Sequence, residues 1–229
     1  MGIIKLTFVL ILFVFKTNGT MAQVNICFKP MFGNEKLDLN NPYYYLNPTD
    51  SIHIENLQFY ISNIELYKNN QLVFKEKNSF HLLNVADSIS LKLPLISNSN
   101  LIFDQIRFNI GIDSITNYGG AMGGDLDPTK GMYWTWQNGY INFKLEGKSN
   151  LCTTNNNEFT FHLGGYLFPF NTLQNIQLST NNLHNIEINI ALDKWFSGID
   201  LKKQNHIMSP SNDAVLLSNK LLTIFFVSK

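Results

Sequence analysis

The chain has 229 residues, 17 basic and 17 acidic side chains, 45% hydrophobic residues and only 15% charged ones. That length and apolar content fill one sizeable core. With no basic surplus to neutralise phosphates, nothing points to nucleic-acid binding, and polarity comes instead from Asn, Ser, Thr and Gln, which favour turns and strand edges over helices.

The first 22 residues read as a secretory signal peptide. Lys5 gives a weakly positive start, Leu6 to Phe15 is a continuous apolar run, and Thr20-Met21-Ala22 supplies small residues for cleavage. The run is too short to span a bilayer comfortably as a permanent anchor, the other reading of this stretch. Cys27 does not directly follow the run, which counts against lipid attachment. The expectation is a cleaved leader over residues 1–22, then one domain over residues 23–229, in the periplasm or outside the cell and without membrane association.

From Gln23 to Phe32 the residues alternate, with Val24, Ile26 and Phe28 on one face, and Pro30 and Gly33 mark the end of a first strand. A long loop rich in Asn, Pro and Tyr follows over Leu37 to Thr49. Asp50 to Tyr67 is the next strong alternating segment, and Asn69-Asn70 turns it into a hairpin with Gln71 to Phe74. Further strands are expected at Phe80 to Val85, around Leu91, and from Leu101 to Ile112, where Ile102, Ile106, Phe108 and Ile110 read as apolar. After the central region come Glu158 to Leu163, a strand around Ile176 and Leu178, and Leu183 to Leu192. Asp193 to Phe196 and Ser211 to Lys220 read as short helices, and Leu221 to Val227 as a closing strand. Short strands at regular spacing, with many Asn and Gly turns, predict an all-β fold: an antiparallel β-sandwich with long loops and one or two short helices.

The stretch Gly119 to Gly147 collects the unusual residues. Gly, Asp and Pro make Gly119 to Gly131 turn-rich and ordered. Period two then takes over, with Met132, Trp134 and Trp136 pointing one way. Beyond Asn138-Gly139, Ile141, Phe143 and Leu145 are expected inward, and Tyr140, Asn142, Lys144 and Glu146 outward. Such a loop beside two tryptophans is either a binding site or simply core. Asp125 and Asp127 behind two glycines are faintly like a calcium loop but lack its further acidic positions and distal Glu. Capping of the turn backbone is the plainer reading. Cys27 and Cys152 are compatible with a disulfide and equally with two unpaired thiols. No nucleophile elbow, H-E-x-x-H, P-loop or dinucleotide fingerprint is present, so the chain is not expected to be an enzyme.

Phe59-Tyr60-Ile61-Ser62-Asn63-Ile64, Gly111-Ile112-Asp113, Gly124 to Trp136, Gly139-Tyr140 and Phe161-His162-Leu163-Gly164 together resemble the MbnP-like family, over nearly all of the mature chain. The family takes its name from a periplasmic protein associated with methanobactin, a copper-binding peptide. The resemblance implies an exported β-sandwich and a role with copper, which related proteins hold with histidines beside a tryptophan oxidised to kynurenine. Carried over by residue, it points to His162 in the FHLG motif and to Trp134 and Trp136. No histidine lies near Trp134 in sequence. His53, alternating with apolar neighbours at a strand start, is the candidate second ligand. Two glycines after Leu163 replace a Gly-Ser/Thr pair often seen there. Imidazole suits copper and Met sulfur suits its reduced ion, which adds Met132 and, less directly, Met122. The competing expectation is a metal-free module that binds a protein or peptide partner through its aromatic loop.

Overall fold

The computed structural model describes residues 22–97, 101–181 and 184–228. The leader read at residues 1–22 lies outside them, except for Ala22. In chain order the strands are β1 (Ala22–Phe32), β2 (Glu35–Lys36), β3 (Tyr44–Tyr45), β4 (Ser51–Lys68), β5 (Gln71–Lys75), β6 (Phe80–Asn84), β7 (Lys92–Ser97), β8 (Gln105–Ile110), β9 (Tyr133–Trp134), β10 (Gly139–Ser149), β11 (Glu158–Gly164), β12 (Gln174–Ser179), β13 (Asn185–Ala191), β14 (His206–Ile207) and β15 (Phe225–Val227). Three short helices join them: α1 (Ser114–Tyr118), α2 (Leu192–Phe196) and α3 (Asn212–Asn219).

The strands form the expected sandwich. One sheet runs β15-β13-β1-β2, with β7 also on β1; the larger runs β12-β8-β4-β10-β11-β14, with β3, β5 and β6 on β4 and β9 on β10. Pairing is not antiparallel throughout. β1 runs parallel to β13, from Asn25 opposite Asn185 to Met31 opposite Ala191, and β14 runs parallel to β11. Between the sheets, Val24, Ile26 and Phe28 of β1 meet Phe59 of β4, Phe108 of β8 and Phe143 of β10 in one core. Phe28 sits edge-on to Phe59 and Phe108 at 6.3 and 5.6 Å between centroids, the arrangement that aromatic quadrupoles favour.

Three departures from simple alternation have local causes. Asn63 of β4 sits at φ 53°, and the β4–β8 register shifts between Ser62 and Glu65. This bulge exchanges the faces. Phe59 and Ile61 before it, and Ile64 and Leu66 after it, all reach the same core. Pro30 does not end β1, because β7 pairs only as far as Cys27 and β2 begins at Met31, so Pro30 falls between them. Ile102, read as an apolar residue of the Leu101 to Ile112 strand, precedes the start of β8 at Gln105 and is exposed.

The largest departure is on the outer face of the large sheet. Tyr140 and Asn142 were expected to face solvent, yet both are buried. The segment between α1 and β10 folds back over this face. It builds a second, smaller core from Tyr60, Leu82, Ile112, Leu126, Met132, Trp134, Tyr140 and Ile141.

Candidate functional site

Asp113 opens the covering segment by capping α1, its Oδ1 accepting from the Thr116 amide at 2.9 Å. Two single turns follow, Gly124–Leu126 and Pro128–Lys130. Asp127 caps the second by accepting from the Thr129 amide at 2.9 Å. Asp125 accepts from the Leu82 amide at 3.1 Å and pairs with Lys130 at 2.6 Å. Asp127 thus caps its own turn, as the capping reading expects, whereas Asp125 does not: it ties the covering segment to β6 and to Lys130. From beneath, Tyr60 donates to the Asp125 carbonyl at 3.0 Å, and the Tyr140 hydroxyl accepts from the Met122 amide at 3.1 Å. Burial raises the pKa of both phenols, so they stay protonated donors.

β9 then delivers Trp134 onto β11. A Cβ at Gly164 would lie 2.7 Å from Cζ3 of Trp134 and 2.7 Å from the Tyr140 carbonyl. Only glycine lets the indole rest there. His162 lies two residues back on the same face of β11, roughly 7 Å along the strand. The residue is 6% exposed, and Nε2 lies 2.6 Å from Oε1 of Glu146 on β10. The His162 hydrogen bond, with help from Asn56 and Lys144, holds the Glu146 carboxyl down at about 2. Asn56 donates to the other carboxylate oxygen at 2.8 Å, and Lys144 Nζ stands 3.6 Å from Oε1. An ionised carboxylate can only accept, so Nε2 of His162 carries the proton. The other ring nitrogen, Nδ1, is buried without a hydrogen-bond partner.

The structure therefore brings His162 and Trp134 to one wall and adds Glu146, Asn56 and Lys144, none of which the sequence had singled out. Glu146 read only as an outward strand residue; its meeting with His162 comes from the β10–β11 register, which places Lys144 opposite His162 and Glu146 opposite Thr160. Trp136 stacks obliquely on Trp134 at 5.7 Å between centroids but stands out into solvent. Met132 is fully buried in the second core, whereas Met122 is exposed. His53 is held apart. It pairs with Lys148 while His162 pairs with Lys144, which separates them by about 13 Å along β10, with β4 and β11 roughly 10 Å apart across it. His53 instead lies edge-on to Tyr43 at 6.5 Å. Among the described residues, no three His, Cys, Asp or Glu side chains converge as a metal cage. Cys27 and Cys152 are both free thiols, and burial pushes the Cys152 thiol up to about 11.

The sequence model of the MbnP family matches residues 21–209. Among solved structures, MbnP from Methylosinus trichosporium is similar, with a TM-score of 0.64 at 10% identity over 86% of this chain and 88% of that one. At that identity the likeness speaks for the fold. No curated protein matches the chain.

Proposed function

Because the chain belongs to the MbnP family, we propose that it is an exported, non-catalytic protein that binds copper on the wall formed by His162, Glu146 and Trp134. One observation carries this reading. His162 is fixed through Nε2 by a carboxylate and leaves a buried Nδ1 with no partner. A ligating imidazole usually has its other nitrogen on a carboxylate, which fixes the tautomer and raises ligand basicity. A buried lone pair left empty costs desolvation energy that a metal would recover.

An imidazole nitrogen suits copper, and a single one suits a low-coordinate ion better than an ion that demands a carboxylate cage. His162 would supply nitrogen, Glu146 would hold the ring, and the Trp134 indole would shield the ion from water. Copper, when bound, would supply redox chemistry beside an oxidisable indole. Trp134 would be the tryptophan that meets it, a reading supported by its burial beside β11 while Trp136 reaches into solvent. His53 is left out by the strand register.

Metal analysis of protein taken from the exported fraction tests the reading. Copper should accompany the native chain and be lost in His162→Ala. Glu146→Gln should weaken copper binding by roughly 10–100-fold while keeping the fold. Copper retained in full by His162→Ala would remove the assignment. If Trp134 is oxidised to kynurenine, its peptide gains one oxygen and loses one carbon, which mass spectrometry resolves.

A further inference from the structure

The end of the molecule outside Trp134 carries a second feature. Three segments meet there: α1 with the turn after it, the β9–β10 turn, and the loop after β11. The Ser114 hydroxyl donates to the Tyr166 carbonyl at 2.9 Å, and the Tyr140 amide donates to the Asn117 side chain at 2.8 Å. Gly139 lets the Tyr166 ring approach to 3.1 Å of where its Cβ would be. On this joined surface Phe168 is 97% exposed, Ile115 87%, Tyr118 82%, Trp136 65% and Leu167 62%, with Met122 beside them.

Residues 114–124, 131–143 and 163–182 contain no Asp, Glu, Lys or Arg. An exposed aromatic and aliphatic surface of this kind marks an interaction site. Its composition is that of an interface core, rich in Trp, Tyr, Phe and Met and empty of charge. We infer that this face joins two copies of the chain as a twofold dimer.

Three observations favour a second copy over other occupants. The six side chains expose roughly 800 Å² on the usual areas of aromatic and aliphatic groups, about what each partner gives to a standard interface. In a twofold contact the same patch meets itself, so any charge near the axis would face its like; these segments carry none to repel. A lipid surface would call for a basic rim to engage anionic headgroups, and the same segments carry no Lys or Arg. Trp136 lies inside the patch and against Trp134, so pairing would also close the outer side of the His162 wall. The dimer does not depend on copper.

Sedimentation equilibrium of the purified metal-free protein tests this. The native chain should be a dimer at micromolar concentration. Phe168→Ser with Ile115→Ser should raise the dissociation constant by roughly 100-fold or more. Both side chains project into solvent, so the variant should keep its circular dichroism spectrum. Leu72→Ser with Val73→Ser alters exposed apolar groups on β5, which pairs with β4 beside Arg107 and Gln105, the opposite end of β8; it should leave the dimer intact. A native chain that stays monomeric to about 100 micromolar overturns the proposal. So does a dimer that survives the Phe168/Ile115 pair, or a monomer that co-sediments with phosphatidylcholine vesicles.

Discussion

At His162 the two ring nitrogens have different surroundings. One faces an ionised carboxylate, and the other faces protein that offers it nothing. The lowered pKa of Glu146 has a consequence for acid stability. A carboxylate whose folded-state pKa is depressed contributes stability in full above its ordinary value of 4.5, and that contribution fades as pH falls toward about 2. Glu146→Gln should therefore flatten the acid-unfolding profile between those limits while changing little of its shape near neutrality; urea midpoints at several pH values measure it. A profile as steep as the native one would mean the pair is not formed. Little of this was legible beforehand. The FHLG motif drew attention to His162, but Glu146 is 16 residues away and meets it only through antiparallel register, which alternation does not encode.

At the scale of elements, alternation read the faces of β1 well and misread those of β4 and β10. In β4 a single left-handed Asn63 exchanges inside for outside, and nothing in a two-residue period announces a bulge. In β10 the outward residue Tyr140 is covered by a segment whose path depends on tertiary contacts, and Asn142 is held by the Ile112 amide and the Thr172 hydroxyl. Gly147 shows how closely these strands approach. A Cβ there would sit 2.0 Å from the His53 carbonyl and 2.7 Å from the Phe159 ring. Gly147→Ala should cost about 3 kcal/mol, since backbone must move. Gly33, at φ 61° with open space around it, should cost only about 1 kcal/mol on the same change, from the left-handed conformation alone. Equal unfolding midpoints for the two variants would contradict the close approach at the β4–β10 bulge.

The whole molecule has two cores of unequal size, one between the sheets and one under the covering segment. The smaller depends on two tyrosine hydroxyls. Tyr140 contacts the backbone at Gly120, Met122 and Leu126, and Tyr60 reaches Asp125. Tyr140→Phe should cost about 1–2 kcal/mol. Its clearer effect should be local: amide exchange over residues 120–126 should speed up while β4 and β8 stay protected, because a lightly tied segment can open without the main core. Uniform acceleration everywhere would show that the molecule opens as one unit. The sandwich class was legible from strand spacing and turn residues; this covering layer was not, because Gly119 to Gly131 has no periodicity to read.

β1 is made before the other described strands of the sandwich, yet its parallel neighbour β13 follows some 160 positions later, as the Asn25–Asn185 side-chain contact shows. Its antiparallel neighbour β7 arrives much sooner. During synthesis one flank of β1 therefore stays open, with an apolar row behind it, until nearly the whole sandwich has emerged. Closing so long a loop is slow, and the waiting chain exposes an unpaired strand edge of the kind that invites association. A nascent chain halted anywhere short of Ala191 would lack the full parallel partner of β1, and would be better suited to capture by a chaperone than to folding.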